Sequence, residues 1–199
     1  MDGTLIDSGN VITNTINFVR TNIGLEPIPK STLLAQLNNP DINAADFFYG
    51  TEEFTPKQTE LFTQYYDEHC ISDIILYDGI ENLLKELSQH FKLSVATNAS
   101  VQFASKMLEH LNIAQYFDFV VGACSVKQPK PYPDMILKTL AYFDLQADEA
   151  IVVGDSYKDK KAAIGADVEF ILVDWGFTQF GDNEAISDII ILKERLQIK

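Results

Sequence analysis

Over the first third of the chain, hydrophobic residues recur at helical spacing and predict helices rather than strands. One face of the first predicted helix carries Ile12, Ile16, Val19 and Ile23. Ser8 is a suitable N-cap for this helix, and Gly24 is suitable at its end. Shorter helices are predicted at 31–37 and 44–49, and a capping box at Thr55–Gln58 opens a further one.

After residue 78, short apolar strands alternate with amphipathic helices. The predicted strands are 92–96, 117–121, 150–153 and 169–173. Helices are predicted at about 78–89, after Ser100, at 133–143, near 159–164 and after Ser187. Fully apolar strands alternating with helices imply a parallel sheet covered on both faces, and right-handed crossovers make it doubly wound. We therefore predict an α/β fold whose core is residues 1–8 and 78–199, with an inserted all-helical module at 9–77.

Polar residues follow the predicted strands or lie between them and the next helices, at the edge where open α/β sheets bind ligands. They are Thr97, Asn98, Lys130, Asp155 and Asp159, together with Asp2 near the N-terminus. Asp155 and Asp159 are four residues apart on a loop that runs into a helix, so both carboxylates can face one point. Hard oxygen ligands with room for water suit Mg²⁺, and the spacing therefore predicts a magnesium site.

The other polar residues suit a phosphoryl ligand. Lys130 offers a compact cation, and two nearby prolines stiffen its approach. Thr97 and Asn98 offer a hydroxyl and an amide for phosphoryl oxygens, and Asp2 offers a general acid or base. Each of these residues alone is more often part of an ordinary turn, cap or surface. Together, at one end of the predicted strands, they indicate phosphoryl transfer.

Four motifs in this order resemble the signature motifs of the haloacid dehalogenase superfamily. They are Asp2-Gly3-Thr4-Leu5, Thr97-Asn98, Lys130-Pro-x-Pro and Gly154-Asp155-Ser156-x-x-Asp159. The helical insert resembles the small cap of phosphoglycolate phosphatase-like members. Two further segments, Asp78-Gly79-Ile80 and Trp175-Gly176-Phe177, are also similar to that subgroup.

The resemblance implies a Mg²⁺-dependent phosphatase that hydrolyses a small phosphate monoester. The family's first motif is Asp-x-Asp-Gly-Thr; its first Asp forms an aspartyl-phosphate, and its second acts as general acid and base. Asp2 matches the second Asp, so the nucleophile is expected just upstream of Met1. The resemblance further implies that Mg²⁺ is held by Asp155, Asp159 and the backbone carbonyl of Asp2.

The same resemblance implies roles for the remaining motif residues. Lys130 and Mg²⁺ would neutralise charge on the phosphoryl group, while Thr97 and Asn98 would hold its oxygens. Cap side chains would choose the substrate. Candidates for that choice are Asn38, Asn39, Phe47, Phe48 and Tyr49.

The resemblance also implies a slot in the sheet. In the family's strand order, an apolar strand before the first motif lies between the strand ending at Thr97 and the one ending at Asp155. Without it these two would stand roughly 9.6 Å apart, twice the usual spacing. Unpaired buried backbone groups cost on the order of 1–3 kcal/mol each, against a net stability of about 5–15 kcal/mol. We expect upstream residues, another segment or direct pairing to fill the slot; an unfilled gap would contradict the strand order or the family.

Two other functions stay open. Asp2 argues against dehalogenase chemistry, whose members lack the second Asp of the first motif. A phosphohexomutase of the same superfamily shares the motifs and differs in the cap. A catalytically inactive binding protein with this fold is the alternative from a different functional class.

Charge and composition narrow the partners and the location. The formal charge of −14 makes the chain a poor binder of nucleic acid or anionic membranes. No apolar run has the length of a membrane span, and the N-terminus has no signal-peptide pattern. Cys70 and Cys124 match no metal spacing and are expected to be buried free thiols. These features predict a cytoplasmic protein, and the sequence carries no signal for its oligomeric state.

Overall fold

A computed structural model describes residues 1–37, 39, 41–175 and 184–196 of the chain. The first part contains two very short strands and four helices. They are β1 (Ile6–Asp7), α1 (Gly9–Asn22), α2 (Lys30–Leu37), α3 (Ala44–Tyr49), α4 (Pro56–His69) and β2 (Ile75–Leu76).

The second part alternates helices with strands, as the hydrophobic pattern predicts. Its elements are α5 (Ile80–Leu87), β3 (Ser94–Thr97), α6 (Val101–His110), β4 (Phe119–Gly122), α7 (Asp134–Phe143), β5 (Ile151–Gly154), α8 (Tyr157–Gly165), β6 (Glu169–Leu172) and α9 (Ile189–Arg195). The bounds differ from the predicted ones by a residue or two.

Local capping explains where two of the first helices begin. The Thr55 hydroxyl accepts the backbone N–H of Gln58 at 3.3 Å, and the Gln58 side chain accepts the backbone N–H of Thr55 at 2.8 Å. Asn43 caps α3 in the same manner. Ser8 is the N-cap residue of α1, as predicted, and its carbonyl accepts the backbone N–H of Ile12 at 3.1 Å. Its hydroxyl makes no cap hydrogen bond.

The strands pair in three separate ladders. β3 and β4 are parallel, with Val95 opposite Val120, and β5 and β6 are parallel, with Val152 opposite Phe170. β1 and β2 pair antiparallel at the two ends of the helical segment, with Ile6 opposite Leu76. One apolar cluster is built on helices α1–α3 and consists of Ile16, Val19, Leu33, Phe48 and Tyr49. The division into a core and a module at 9–77 stays a prediction.

An apolar groove separates β3 from β5. Neither strand pairs with the other, and among the described residues no segment pairs with both; a cavity of about 360 Å³ is lined by both strands. Direct pairing, one of the three expected outcomes, is therefore wrong. The groove is open enough to expose its edge: Ile151 is 45% exposed, and Val152 and Val153 are only partly buried. This edge of β5 is therefore not fully buried.

An extension ahead of Met1 that forms a strand in this groove should stabilise the folded chain. We expect five β-branched residues fused ahead of Met1 to raise the midpoint of thermal unfolding by about 5 °C, roughly 2 kcal/mol at this chain length. The physical reason is that such a segment can hydrogen-bond to the edges of both strands. The measurement is calorimetry against a Gly/Ser extension of equal length, and equal midpoints for the two extensions would contradict the expectation.

Gly3 lets the N-terminal turn pass directly against the loop after β5. Its φ is +75°, and a Cβ atom placed there would lie 2.1 Å from Oδ2 of Asp155. The turn is closed by the carbonyl of Met1, which accepts the backbone N–H of Leu5 at 2.8 Å. Any side chain at position 3 must therefore displace the Asp155 carboxylate or the turn.

Gly24 provides a matched control for this contact, because its φ is +82° and nothing lies within 4 Å of its Cβ position. We expect Gly24→Ala to lose about 1 kcal/mol through the positive φ alone. Gly3→Ala should lose at least about 2 kcal/mol more, since a buried contact is disrupted as well. Urea unfolding of both variants measures the difference; equal losses would show that the Asp155 contact is unimportant.

Candidate active site

Asp155 and Asp159 lie at the carboxyl end of β5, where the chain turns into α8. Ser156 caps this helix: its hydroxyl accepts the backbone N–H of Asp159 at 3.2 Å and donates to Oδ2 of Asp159 at 2.5 Å. Gly154 makes room for the turn, because a Cβ atom there would lie 2.6 Å from Cβ of Asp159. Both carboxylates are buried, at 4% exposure for Asp155 and 8% for Asp159.

Lys130 joins this turn to the end of β3. Its ammonium donates to Oδ1 of Asp159 at 2.5 Å and to the carbonyl of Ala96 at 2.7 Å, and its side chain is 10% exposed. The predicted proximity of Lys130 to the acidic pair is therefore present in the structure. Its role in a reaction stays a prediction.

The two carboxyl groups differ in their electrostatic surroundings. Burial, and next the charge of Asp159, raise the pKa of Asp155 to about 6, although the Thr4 hydroxyl donates to its Oδ1 at 2.7 Å. Burial is the largest influence on Asp159 and opposes its ionisation, but the Lys130 ammonium, the N-terminal charge and the Ser156 hydroxyl together outweigh burial and lower the pKa of Asp159. One carboxylate is thus already neutralised by a lysine, and the other is buried beside it.

Asp2 faces the same cavity from the N-terminal turn. Its Oδ1 accepts a hydrogen bond from the Ser8 hydroxyl at 2.5 Å. Ser8 is fully buried and Asp2 is partly buried. The hydroxyl of Ser8, the N-cap residue of α1, therefore orients the candidate acid or base.

Thr97 and Asn98 lie at the end of β3, close to Lys130. The Thr97 hydroxyl accepts the backbone N–H of Ala99 at 3.2 Å. Asn98 bonds the backbone of Lys130 in both directions: its amide donates to the Lys130 carbonyl at 2.9 Å, and its Oδ1 accepts the Lys130 N–H at 3.1 Å. In this arrangement Asn98 positions Lys130, a contact that its turn-like sequence does not indicate.

All six predicted site residues line one cavity of about 510 Å³. They are Asp2, Thr97, Asn98, Lys130, Asp155 and Asp159. The hydroxyls of Thr4, Ser8 and Ser156 contact the three carboxylates, a role that the sequence did not indicate for any of them. Thr4 and Ser156 belong to the motifs, so their positions in the sequence could have indicated a place in the site. Ser8 belongs to none of the motifs, so its position in the sequence does not indicate its contact with Asp2.

Other sequence predictions have separate outcomes. Trp175 donates its indole N–H to the Thr4 carbonyl at 2.9 Å, while Gly176 and Phe177 lie outside the described residues. Cys70 is buried as predicted, but Cys124 is exposed, so that prediction is wrong for Cys124. No helix among the described residues has the length and apolar character needed to cross a membrane.

The donor set suits one small hard cation. Within the part of the chain that the structure describes, no three His, Cys, Asp or Glu side chains converge as a ready metal cage. Mg²⁺ does not require such a cage, because it commonly takes one or two carboxylates and keeps several waters. Asp155 and Asp159 are both buried, and the charge of Asp159 raises the pKa of Asp155, so a cation beside them would favour the ionised form of both. The residues present therefore fit Mg²⁺.

Comparisons with known proteins agree with this geometry. The model of the haloacid dehalogenase-like hydrolase family matches residues 1–173. A phosphoglycolate phosphatase from Aquifex aeolicus is 29% identical over 192 residues, covering 96% of this chain and 89% of that protein. The corresponding protein from Photorhabdus laumondii is 28% identical, covering 94% and 83%.

A solved structure gives the same result for the fold. The crystal structure of a predicted phosphatase from Clostridium acetobutylicum has a TM-score of 0.86 at 26% identity, covering 99% of this chain and 95% of that one. The predicted α/β fold class, with its doubly wound core and helical cap, is confirmed by this likeness. The chain belongs to the haloacid dehalogenase-like hydrolase family, in its phosphoglycolate phosphatase-like subgroup.

Proposed function

We propose that this phosphatase hydrolyses a small phosphate monoester with Mg²⁺ and through an aspartyl-phosphate, whose Asp directly precedes Met1. The observation that carries the proposal is the Lys130 ammonium, 2.5 Å from Asp159 and beside buried Asp155, at the wall of a cavity large enough for a substrate. Catalysis of phosphoryl transfer consists mainly of positioning and charge neutralisation. A lysine held against an acidic pair supplies both.

Each residue's proposed role follows from its contacts. Asp155 and Asp159, with the Asp2 backbone carbonyl, would hold Mg²⁺, which when bound neutralises phosphoryl charge. Lys130 keeps its ammonium at the phosphoryl position. Thr97 contributes a buried hydroxyl at the same edge of the cavity. Asn98 contributes chiefly by holding the Lys130 backbone.

Asp2 is proposed as the proton carrier. Its carboxylate lines the cavity and is oriented by the Ser8 hydroxyl. From that position it would protonate the leaving oxygen and then remove a proton from the attacking water. The Ser8 hydroxyl holds Oδ1 of Asp2, and Oδ2 would face the substrate.

The neighbourhood of Met1 supports the position of the nucleophile. Met1 lines both the active-site cavity and the groove between β3 and β5, and so do Lys130 and Asp159. A residue joined to the Met1 nitrogen would therefore begin next to the acidic pair. An aspartate there would lie within reach of a phosphoryl group held by Lys130.

Lys130→Ala should lower turnover by about 10²–10³-fold, the usual loss when one preorganised charge or donor is removed. The assay measures phosphate release from small esters with Mg²⁺, using a chain extended by an apolar segment that ends in Asp before Met1. Lys138→Ala is the control, because the ammonium of Lys138 contacts only the Ser125 carbonyl in an exposed position. Near-normal turnover by Lys130→Ala would refute its role.

The same assay tests the nucleophile and separates hydrolysis from mutase activity. An extension ending in Asn instead of Asp should abolish turnover, since an amide cannot form the acyl phosphate. Equal activity with Asp and Asn extensions would refute the covalent route. Isomerised sugar phosphate as the main product, with little released phosphate, would establish a mutase.

Mg²⁺ should stabilise the folded chain through Asp155. At about 100 times its dissociation constant, Mg²⁺ is expected to add about 2.7 kcal/mol to the free energy of unfolding. Asp155→Asn should remove this gain while retaining an acceptor for the Thr4 hydroxyl. Exposed Asp148 provides the control through Asp148→Asn. Thermal unfolding with and without Mg²⁺ is the measurement, and an equal gain in both variants would exclude Asp155 as a ligand.

A further inference from the structure

The active-site cavity is larger than the phosphoryl group needs. Its volume of about 510 Å³ is in the usual range for pockets that enclose a whole small molecule. The acidic pair and Lys130 account for one end. The space beyond them must be matched by the part of the substrate that leaves with the ester oxygen.

The cavity wall away from the acidic pair is formed largely by aromatic side chains. They are Phe48, Tyr49, Phe54, Phe62, Tyr66 and Phe103. Five of these belong to the helical segment around α3 and α4, and Phe103 belongs to α6. The wall therefore combines side chains of the helical segment with one side chain of α6, the helix that follows β3.

Ring contacts hold this wall in a defined shape. Phe62 stacks on Tyr66 with centroids 5.4 Å apart, and Tyr66 meets Phe103 edge-on at 5.0 Å. Tyr66 is 4% exposed, and its hydroxyl turns away to the sulfur of Met107 at 3.7 Å. The wall consequently presents ring faces and edges to a ligand.

Positive charge is scarce along the cavity. Lys130 and the N-terminal amine of Met1 lie at the acidic end, and away from that end the only cation among the described lining residues is Lys158. The Lys158 ammonium donates to the Leu37 carbonyl at 3.2 Å. Asp2 adds a negative charge to the same cavity. A carboxylate on the leaving group would meet aromatic rings and acidic side chains.

Several polar residues on the helical side take part in local structure. The Gln58 side-chain oxygen accepts the backbone N–H of Thr55, and the Thr59 hydroxyl donates to the Thr55 carbonyl. Asn39, one of the residues expected to choose the substrate, donates to Gln36, and Asn38 lies outside the described residues. The aromatic rings therefore form the largest group of side chains on this wall that a leaving group could contact.

We infer that the substrate of this site is a phosphate ester with an uncharged, mainly apolar leaving group of aryl or branched alkyl size, and that the aromatic wall binds that group. The inference rests on the proposed phosphatase function and adds a substrate class to it. Several relatives are named phosphoglycolate phosphatase. A two-carbon acid anion would leave the aromatic wall uncovered and its carboxylate without a cation other than Lys158.

The direct test is binding to the chain itself, measured by titration calorimetry with Mg²⁺ present. The probes are phenyl phosphate, 2-phosphoglycolate and inorganic phosphate, the last reporting on the phosphoryl end alone. Phenyl phosphate should bind about tenfold or more tightly than either of the others, the effect expected for burying one ring. Equal or tighter binding of 2-phosphoglycolate overturns the inference.

Two wall variants and one distant variant test the location. Phe62→Leu and Phe54→Ala should weaken phenyl phosphate several-fold and leave inorganic phosphate unchanged. Phe54 is 53% exposed, so its loss does not threaten folding. Tyr142→Leu is the control, because Tyr142 stacks on Phe119, outside the cavity lining. Equal weakening of both probes in the wall variants, or unchanged phenyl phosphate binding, overturns the assignment.

Turnover by the Asp-extended chain separates this inference from the proposed function. If no ester is hydrolysed but phenyl phosphate still binds selectively through the wall, the proposed function fails and the apolar site stands. If 2-phosphoglycolate is hydrolysed with a higher kcat/KM than phenyl phosphate, the phosphatase stands and the substrate class is wrong.

Discussion

The buried ion pair between Lys130 and Asp159 is the contact around which the site is organised. A single ammonium joins the end of β3, through the Ala96 carbonyl, to the first turn of α8. Buried ion pairs are weak sources of stability because desolvating two charges offsets much of their attraction. Hydrogen bonds nevertheless hold both partners in place. The Ser156 hydroxyl donates to the Asp159 carboxylate, and the Asn98 amide donates to the Lys130 carbonyl. Such support is better explained by the placement of charge for a ligand than by folding.

Charge is also the reason that a cation is expected there. Asp2, Asp155 and Asp159 line one cavity, and Lys130 forms an ion pair with Asp159. A phosphate ester would bring further negative charge into a chain whose formal charge is −14. The charge of Asp159 already raises the pKa of Asp155, so an added anion would oppose the ionised pair. A divalent ion between the acidic residues and the phosphoryl group is the simplest electrostatic solution.

Local sequence signals predicted most of the fold, and long-range contacts account for what was missed. The Thr55 capping box and the strand-to-helix alternation act over a few residues, so they can be identified without the structure. Ser8 has the same local signal as a helix cap, but Asp2 competes for its hydroxyl once the N-terminal turn forms. Asn98 likewise lies in a sequence typical of a turn. Its side chain pairs with the backbone of Lys130, which is distant in the sequence, so the contact can be identified only in the folded chain. The six predicted residues line one cavity, as expected for polar residues placed at one edge of the strands; their individual partners depend on packing between segments.

The groove between β3 and β5 shows where a simple energetic argument fails. An unfilled gap was expected to contradict the strand order or the family, yet the family match covers residues 1–173 and the gap is present. The estimated cost assumed fully buried strand edges, whereas Ile151 is 45% exposed and Val152 and Val153 are only partly buried. The penalty for unpaired groups applies in full only where those groups are shielded from water. Because Met1, Lys130 and Asp159 line both this groove and the active-site cavity, a segment entering the groove would change stability and the site's electrostatics together. In this chain, the pairing of the strands and the arrangement of the site residues therefore depend on the same segment.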